Sequence, residues 1–160
     1  MKIVPLSKKT LNEAIALTLK CFPESRPDDW DYPEKWLKYS LEMKKNNKGI
    51  GVGYSVVVDK NKVVGISGLY YLPHDKKEAF WVAWTCVDPK YRGKKLGSKL
   101  LDLMIKRAKK SKKKFLRLYT DTRENERVAR LLYKSRGFKE FKREKDKKHG
   151  GEIIYMELRL

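Results

Sequence analysis

WVAWTCVDPKYRGKKLGSKLLDLMIKRAKK, Trp81 to Lys110, is the stretch whose reading decides the fold. The apolar and β-branched run at its start predicts a strand that ends near Val87, and Asp88-Pro89 makes a tight turn after it. Leu96, Leu100, Leu101, Met104, Ile105 and Ala108 recur at spacings of three and four, so a helix with one apolar face follows. Between strand and helix lies a basic loop, Arg92 to Gly97, which therefore sits at a helix N-terminus. A helix start leaves backbone N–H groups without intrahelical acceptors and carries roughly half a positive charge, so it attracts anions. Gly93 and Gly97 keep side chains out of the way of a bulky ligand. Arg92, Lys94 and Lys95 add formal charge. These features fit a pyrophosphate cradle, and they fit equally a basic surface loop entering an ordinary helix.

Two motifs carry a family resemblance. Val87-Asp88-Pro89-x-Tyr91-Arg92-Gly93-x-x-x-Gly97 resembles the coenzyme A loop of the GNAT superfamily of acyl-CoA-dependent N-acyltransferases, written V-x-P-x-x-R-G-x-G-x-G/A. About forty residues on, Leu132-Tyr133-x-x-x-Gly137-Phe138 resembles that superfamily's second signature, L-Y-x-x-x-G-F. Two departures stand out. Lys95 replaces the middle glycine of the loop, and Glu126 falls where the family usually has an asparagine seven residues before the tyrosine, with Asn125 one residue further away.

At 160 residues and 41% apolar content, the chain suits one compact domain, residues 1–160. No apolar run reaches about eighteen residues, and Met1-Lys2-Ile3-Val4-Pro5 does not resemble a signal peptide, so a cytoplasmic protein with no membrane partner is expected. Cys21 and Cys86, far apart in sequence and inside apolar patterns, read as reduced, buried thiols, and no metal-ligand cluster is visible. The net charge of +19 exceeds what one cofactor needs. A solvated lysine-rich surface and a weak association with nucleic acid are the two readings of that excess.

Lys2 to Leu6 predicts a first strand. A helix follows that buries Leu11, Ala14, Ile15, Thr18, Leu19 and Phe22, with Ser7 as its N-cap. A second helix begins at Pro33, buries Trp36, Leu37, Ser40 and Leu41, and ends at Asn46-Asn47-Lys48-Gly49. Tyr54 to Asp59 and Lys62 to Leu72 form a hairpin, and Glu78 to Val87 is the strand leading into the basic loop. Past the long helix come a strand at Phe115 to Thr120, a helix from about Glu126 to Ser135, and strands near Phe138 to Arg143 and Ile153 to Leu158. This order gives an α+β, or mixed α/β, layout. It matches the GNAT-like fold that the resemblance implies, a mostly antiparallel sheet of about seven strands flanked by about four helices.

The resemblance further implies acetyl-CoA as cosubstrate and acetyl transfer to a primary amine, on a small molecule or a protein. The pantetheine arm would pair with the strand at Thr85, Cys86 and Val87, and the pyrophosphate would lie on Arg92, Gly93, Lys94, Lys95, Leu96, Gly97 and Ser98, with Asn125 a further contact. Tyr133 matches the family's general acid for the departing thiolate; the other reading is a packing tyrosine. Trp81 occupies the position of the family's catalytic glutamate, which leaves Glu78 or Asp121 as base, or as solvated structural carboxylates. A homodimer is compatible with the family. The alternative function is a basic RNA- or ribosome-associated module that binds coenzyme A without turnover.

One local anomaly concerns the acceptor. Glu24, Asp28, Asp29, Asp31 and Glu34 crowd five acids into eleven residues, interleaved with Trp30, Tyr32 and Trp36. Asp28, Asp29, Trp30 and Tyr32 fit an acidic, aromatic wall that recruits a cationic amine. They fit as well a set of helix-capping acids with packed aromatics.

Overall fold

A computed structural model describes residues 1–29, 32–45 and 53–160, with Lys44 and Lys45 described by backbone alone. The expected end of the second helix at 46–49 lies outside the described residues, as do Trp30 and Asp31. The elements are β1 (Lys2–Pro5), α1 (Lys8–Cys21), α2 (Pro33–Lys45), β2 (Gly53–Asp59), β3 (Lys62–Tyr70), β4 (Ala79–Val82), β5 (Cys86–Val87), α3 (Leu96–Lys110), β6 (Phe115–Asp121), α4 (Arg127–Ser135), β7 (Lys139–Lys145) and β8 (Glu152–Arg159). Short 3-10 turns at Pro89–Tyr91 and Glu124–Glu126 precede α3 and α4. The architecture is the expected α+β GNAT fold, with four helices among the described residues and mixed, mostly antiparallel strands. None of the described helices is long and apolar enough to cross a membrane.

The chain folds into two compact units, Met1–Tyr70 with Val82–Arg107, and Tyr71–Trp81 with Ala108–Leu160. In the first, β1, β2 and β3 pair antiparallel in that order, and β5 pairs with β3 through Gly65↔Val87 and Ile66↔Cys86. A register shift between Val57 and Val58 breaks the two-residue alternation. As a result Val63 and Ile66 join one apolar cluster with Leu6, Ala14, Leu17 and Leu37. Val57 and Val64 join another with Leu96 and Leu100 of α3. Gly68 is required by space: a Cβ there would come within 2.6 Å of the Tyr54 ring. In α1, the Ser7 N–H donates to Thr10 Oγ1 at 3.1 Å, closing the helix start predicted at Ser7.

In the second unit, Ala79–Trp81 of β4 runs parallel to β6, β6 pairs antiparallel with β8, and β8 with β7. Leu116, Leu118 and Thr120 of β6 turn inward with Ile154 and Met156 of β8. The other face of the same strands carries Arg117, whose guanidinium reaches Asp75 at 3.0 Å, Glu157 at 3.1 Å and Glu78 at 3.4 Å. One cation thus holds three carboxylates from the turn before β4 and from β8. Trp81 Nε1 adds a 2.8 Å bond to Asp75.

The single long strand expected from Glu78 to Val87 is a correction. Ala83, Trp84 and Thr85 lie between β4 and β5 and belong to neither. The Ala83 N–H still bonds Gly68 O at 2.8 Å, while the Thr85 hydroxyl donates to Ala83 O at 2.8 Å and lies 2.7 Å from Ser67 Oγ. A side chain that satisfies the backbone next to it competes with the ladder, so the strand is interrupted there.

Candidate functional site

Local contacts build the loop ahead of α3. Asp88 caps the 3-10 turn: its Oδ1 accepts from the Lys90 N–H at 3.0 Å and its Oδ2 from Lys20 Nζ at 2.9 Å. Lys20, then the Lys90 N–H, hold the Asp88 carboxyl below the usual aspartate range. Arg92 Nε donates to Val87 O at 3.3 Å, and the Arg92 N–H bonds Pro89 O at 3.3 Å, so the Arg92 amide is used inside the protein. Gly93 then takes φ +78° and Lys95 φ +59°, left-handed residues on either side of Lys94. Left-handed residues are among those from which anion-binding nests of backbone N–H groups are built.

Leu96, Gly97 and Ser98 form the first turn of α3, where no intrahelical acceptor exists; the Lys99 N–H already bonds Lys95 O at 3.1 Å. Leu96 is buried against Leu100 and pins the loop to the core, which leaves its amide, not its side chain, as the group offered to a ligand. Arg92, Gly93, Lys94 and Lys95 are exposed. Within the protein a Cβ at Gly93 would meet no atom within 4 Å, so its dihedral is what asks for glycine there. An exposed loop carrying three cations at a helix start fits a diphosphate. Upstream, Thr85 spends its hydroxyl on Ala83 and Ser67, and Cys86 is buried in β5. Cys86 and Val87 pair with Ile66 and Gly65 of β3, and Val87 O accepts from Arg92 Nε.

The acidic segment of the first unit is part solvated and part structural. Asp28 is exposed, whereas Asp29 Oδ2 accepts from the Arg26 N–H at 2.8 Å and Asp29 O from the Tyr32 N–H at 3.2 Å. Glu34 pairs with Lys38 at 2.5 Å, and Tyr32 is half-buried. Trp36 stacks near Tyr70, with ring centroids 5.3 Å apart. A separate open cleft of about 460 Å³, lined by Leu41, Tyr54, Leu103 and Arg107 among others, contains none of the residues proposed from the sequence.

In the second unit Tyr133 projects from α4, 9% exposed, its ring 6.0 Å from that of Phe138. Burial first, and the Glu126 carboxylate second, push the Tyr133 phenol far above its ordinary value, so it keeps its proton throughout the physiological range. Glu126 stands at the N-cap of α4, accepts from Thr120 Oγ1 at 3.0 Å, and is itself pushed up, chiefly by burial. Sequence reasoning treated Glu126 only as a missing asparagine. Its place in that motif was the signal that a titratable carboxyl stands two helical turns ahead of Tyr133 on the same face. Asn125 is exposed in the preceding 3-10 turn.

Neither proposed base stands alone. Glu78 precedes β4 and is engaged by Arg117; both oxygens of Asp121 are engaged by Arg123, the Oδ2 contact to Nη2 being 2.6 Å. At the position of the family's glutamate, Trp81 is buried, bonded to Asp75 and edge-on to Tyr155 at 6.3 Å.

The fold is shared with structures of low sequence identity. Ribosomal-protein-alanine N-acetyltransferase from Brucella melitensis matches with TM-score 0.77 at 18% identity over 100% of both chains. A NatC complex bound to Gag peptide and CoA matches with TM-score 0.77 at 20% identity over 100% of this chain and 99% of that one. The ribosomal-protein-S18-alanine N-acetyltransferase from Escherichia coli matches with TM-score 0.68 at 19% identity over 99% and 92%. At such identities the likeness speaks for the fold alone, and no curated protein matches the sequence. The match that reaches past the fold is the family model described as Acetyltransferase (GNAT) family, which spans residues 11–138 and takes in both signature motifs; the chain belongs to the GNAT family of acetyltransferases.

Proposed function

We propose that this chain transfers the acetyl group of acetyl-CoA to a primary amine, and that its 160 residues act as one catalytic domain. The observation that carries the reading is the exposed basic loop, with left-handed Gly93 and Lys95, that leads directly into the first turn of α3. The amides of that turn and Arg92 would hold the diphosphate, the backbone of Thr85, Cys86 and Val87 the pantetheine arm, with Asn125 a further contact. Bound there, acetyl-CoA supplies the activated acyl group as a thioester. Tyr133, at the family-matched position, is the proposed general acid; burial keeps its phenol protonated, and the same shift makes it a weaker acid toward a thiolate whose conjugate acid lies near 8.5.

The base follows from the acceptor. A lysine amine near 10.4 is neutral in only about one molecule in 2,500 at pH 7, a deficit of roughly 4.6 kcal/mol, whereas an α-amine near 8 lacks only about 1.4 kcal/mol. With Glu78 and Asp121 each engaged by an arginine, an α-amino group asks least of the protein. Two similar folds are named ribosomal-protein-alanine and ribosomal-protein-S18-alanine N-acetyltransferase, so we place alanine peptides in the acceptor panel beside polyamines. Asp28, Asp29, Trp30 and Tyr32 remain the proposed acceptor wall.

The test has three parts: thermal shift with acetyl-CoA, thiol release with the amine panel, and labelling of a cell extract with labelled acetyl-CoA. A shift with thiol release supports the transferase. A shift without release supports the RNA- or ribosome-associated binding module, and the absence of both shift and release counts against the enzyme.

A further inference from the structure

Two thiols separated by most of the first unit's sequence meet beside the loop. Cys21 is the last residue of α1 and only partly buried; Cys86 opens β5 and is buried. The sequence reading of two buried thiols is thus corrected for Cys21. Cys21 Sγ donates to Val87 O at 3.9 Å, and Cys21 packs against the apolar cluster that contains Cys86. Cys86, with smaller help from Arg92 and Lys20, holds Cys21 below the ordinary thiol value against the opposing effect of burial. The neighbouring Cys21 sulfur, and then burial, push Cys86 well up. The arrangement is an accessible thiolate-prone cysteine beside a protonated partner, the chemistry of a peroxide-reactive cysteine with its resolving thiol.

We propose that Cys21 and Cys86 form a reversible disulfide on reaction with a peroxide, and that the bond weakens coenzyme binding at the adjoining loop. The second clause rests on the coenzyme reading above. In the first step the Cys21 thiolate attacks hydrogen peroxide, which is reduced, giving a sulfenic acid and hydroxide. In the second the Cys86 sulfur displaces water from it; two thiols and one peroxide become one disulfide and two waters.

The coupling is mechanical. A disulfide holds its sulfurs at about 2.05 Å, closer than any hydrogen-bonded pair, so the end of α1 and β5 must draw together. The contacts drawn with them are Lys20 to Asp88, which caps the loop's first turn, and Arg92 to Val87 O, which sets the guanidinium.

The full chain is treated with hydrogen peroxide at neutral pH, digested without reductant and mapped by mass spectrometry, and acetyl-CoA affinity is measured by calorimetry before oxidation, after it, and after dithiothreitol. A Cys21–Cys86 linked peptide, a Kd raised about tenfold and recovery on reduction support the proposal, as does loss of both effects in Cys21→Ser and Cys21→Ala. Absence of the linked peptide, or a linked peptide with unchanged Kd, overturns it. Reduced protein that fails to bind acetyl-CoA overturns the coenzyme clause and the functional reading together, while the mapping still decides the disulfide.

Discussion

Lys95 is where a single substitution separates conformation from charge. It sits at φ +59°, a left-handed conformation that costs an L-residue with a Cβ roughly 1 to 2 kcal/mol. Lys95→Gly removes that strain but frees the unfolded chain, which takes back about 0.4 to 1 kcal/mol. The net expectation is a stabilisation of about 0.5 to 1 kcal/mol, or a Tm higher by about 1 to 4 °C for a chain of this size. Lys95→Ala keeps the Cβ and its strain, so it should melt close to the parent and below the glycine variant. Both variants delete the same exposed cation, and both should weaken acetyl-CoA binding equally, by up to about fivefold at low salt and less at high salt. Calorimetric melting and titration of parent and both variants read the two effects apart. Equal melting of the glycine and alanine variants would refute the strain argument, and unequal affinities would refute the charge argument.

Tyr133→Phe should lower turnover by about tenfold or more while leaving the acetyl-CoA Kd within about twofold, because general acid catalysis is lost and packing is kept; steady-state kinetics with full turnover retained would sink the acid role. Since burial moves the Tyr133 phenol upward, parent turnover should not fall through loss of that proton below about pH 10, and an alkaline decline well below this, absent from Tyr133→Phe, would contradict it. Glu126 has a raised folded-state pKa, so the unfolded state gives up its proton first and the carboxyl costs stability once pH rises above both values. Glu126→Gln should therefore be more stable than the parent near pH 7, with the gap narrowing as pH falls through the carboxyl range; urea titrations across pH showing the opposite trend would reject this. Arg117→Met leaves Asp75, Glu78 and Glu157 facing one another, and with Arg117 still partly reached by solvent the loss should be about 2 to 3 kcal/mol in urea unfolding. Reversing charge with Asp28→Lys and Asp29→Lys should raise the KM of a polyamine, and unchanged kinetics with every acceptor would remove the acidic wall.

The sequence by itself determined whatever depends on near neighbours. Periodicity placed α3, Pro33 opened α2, and the order of strand, glycine loop and helix put backbone amides beside cations, because dihedral preference and helix-end geometry are local. The break at Ala83–Thr85 was not visible there, since a run of strand-forming residues gives no sign that a Ser67 hydroxyl will meet Thr85. Glu78 read as a strand carboxylate open to act as a base, and only folding supplied the Arg117 that engages it.

What tertiary structure alone decided are the meetings of distant residues. Cys21 finds Cys86, Lys20 finds Asp88, and Arg117 gathers Asp75 and Glu157. Pairings across tens of residues are set by strand register and by how each helix packs on its sheet. Those are sums of many weak contacts over the whole chain, and no short segment of sequence carries them.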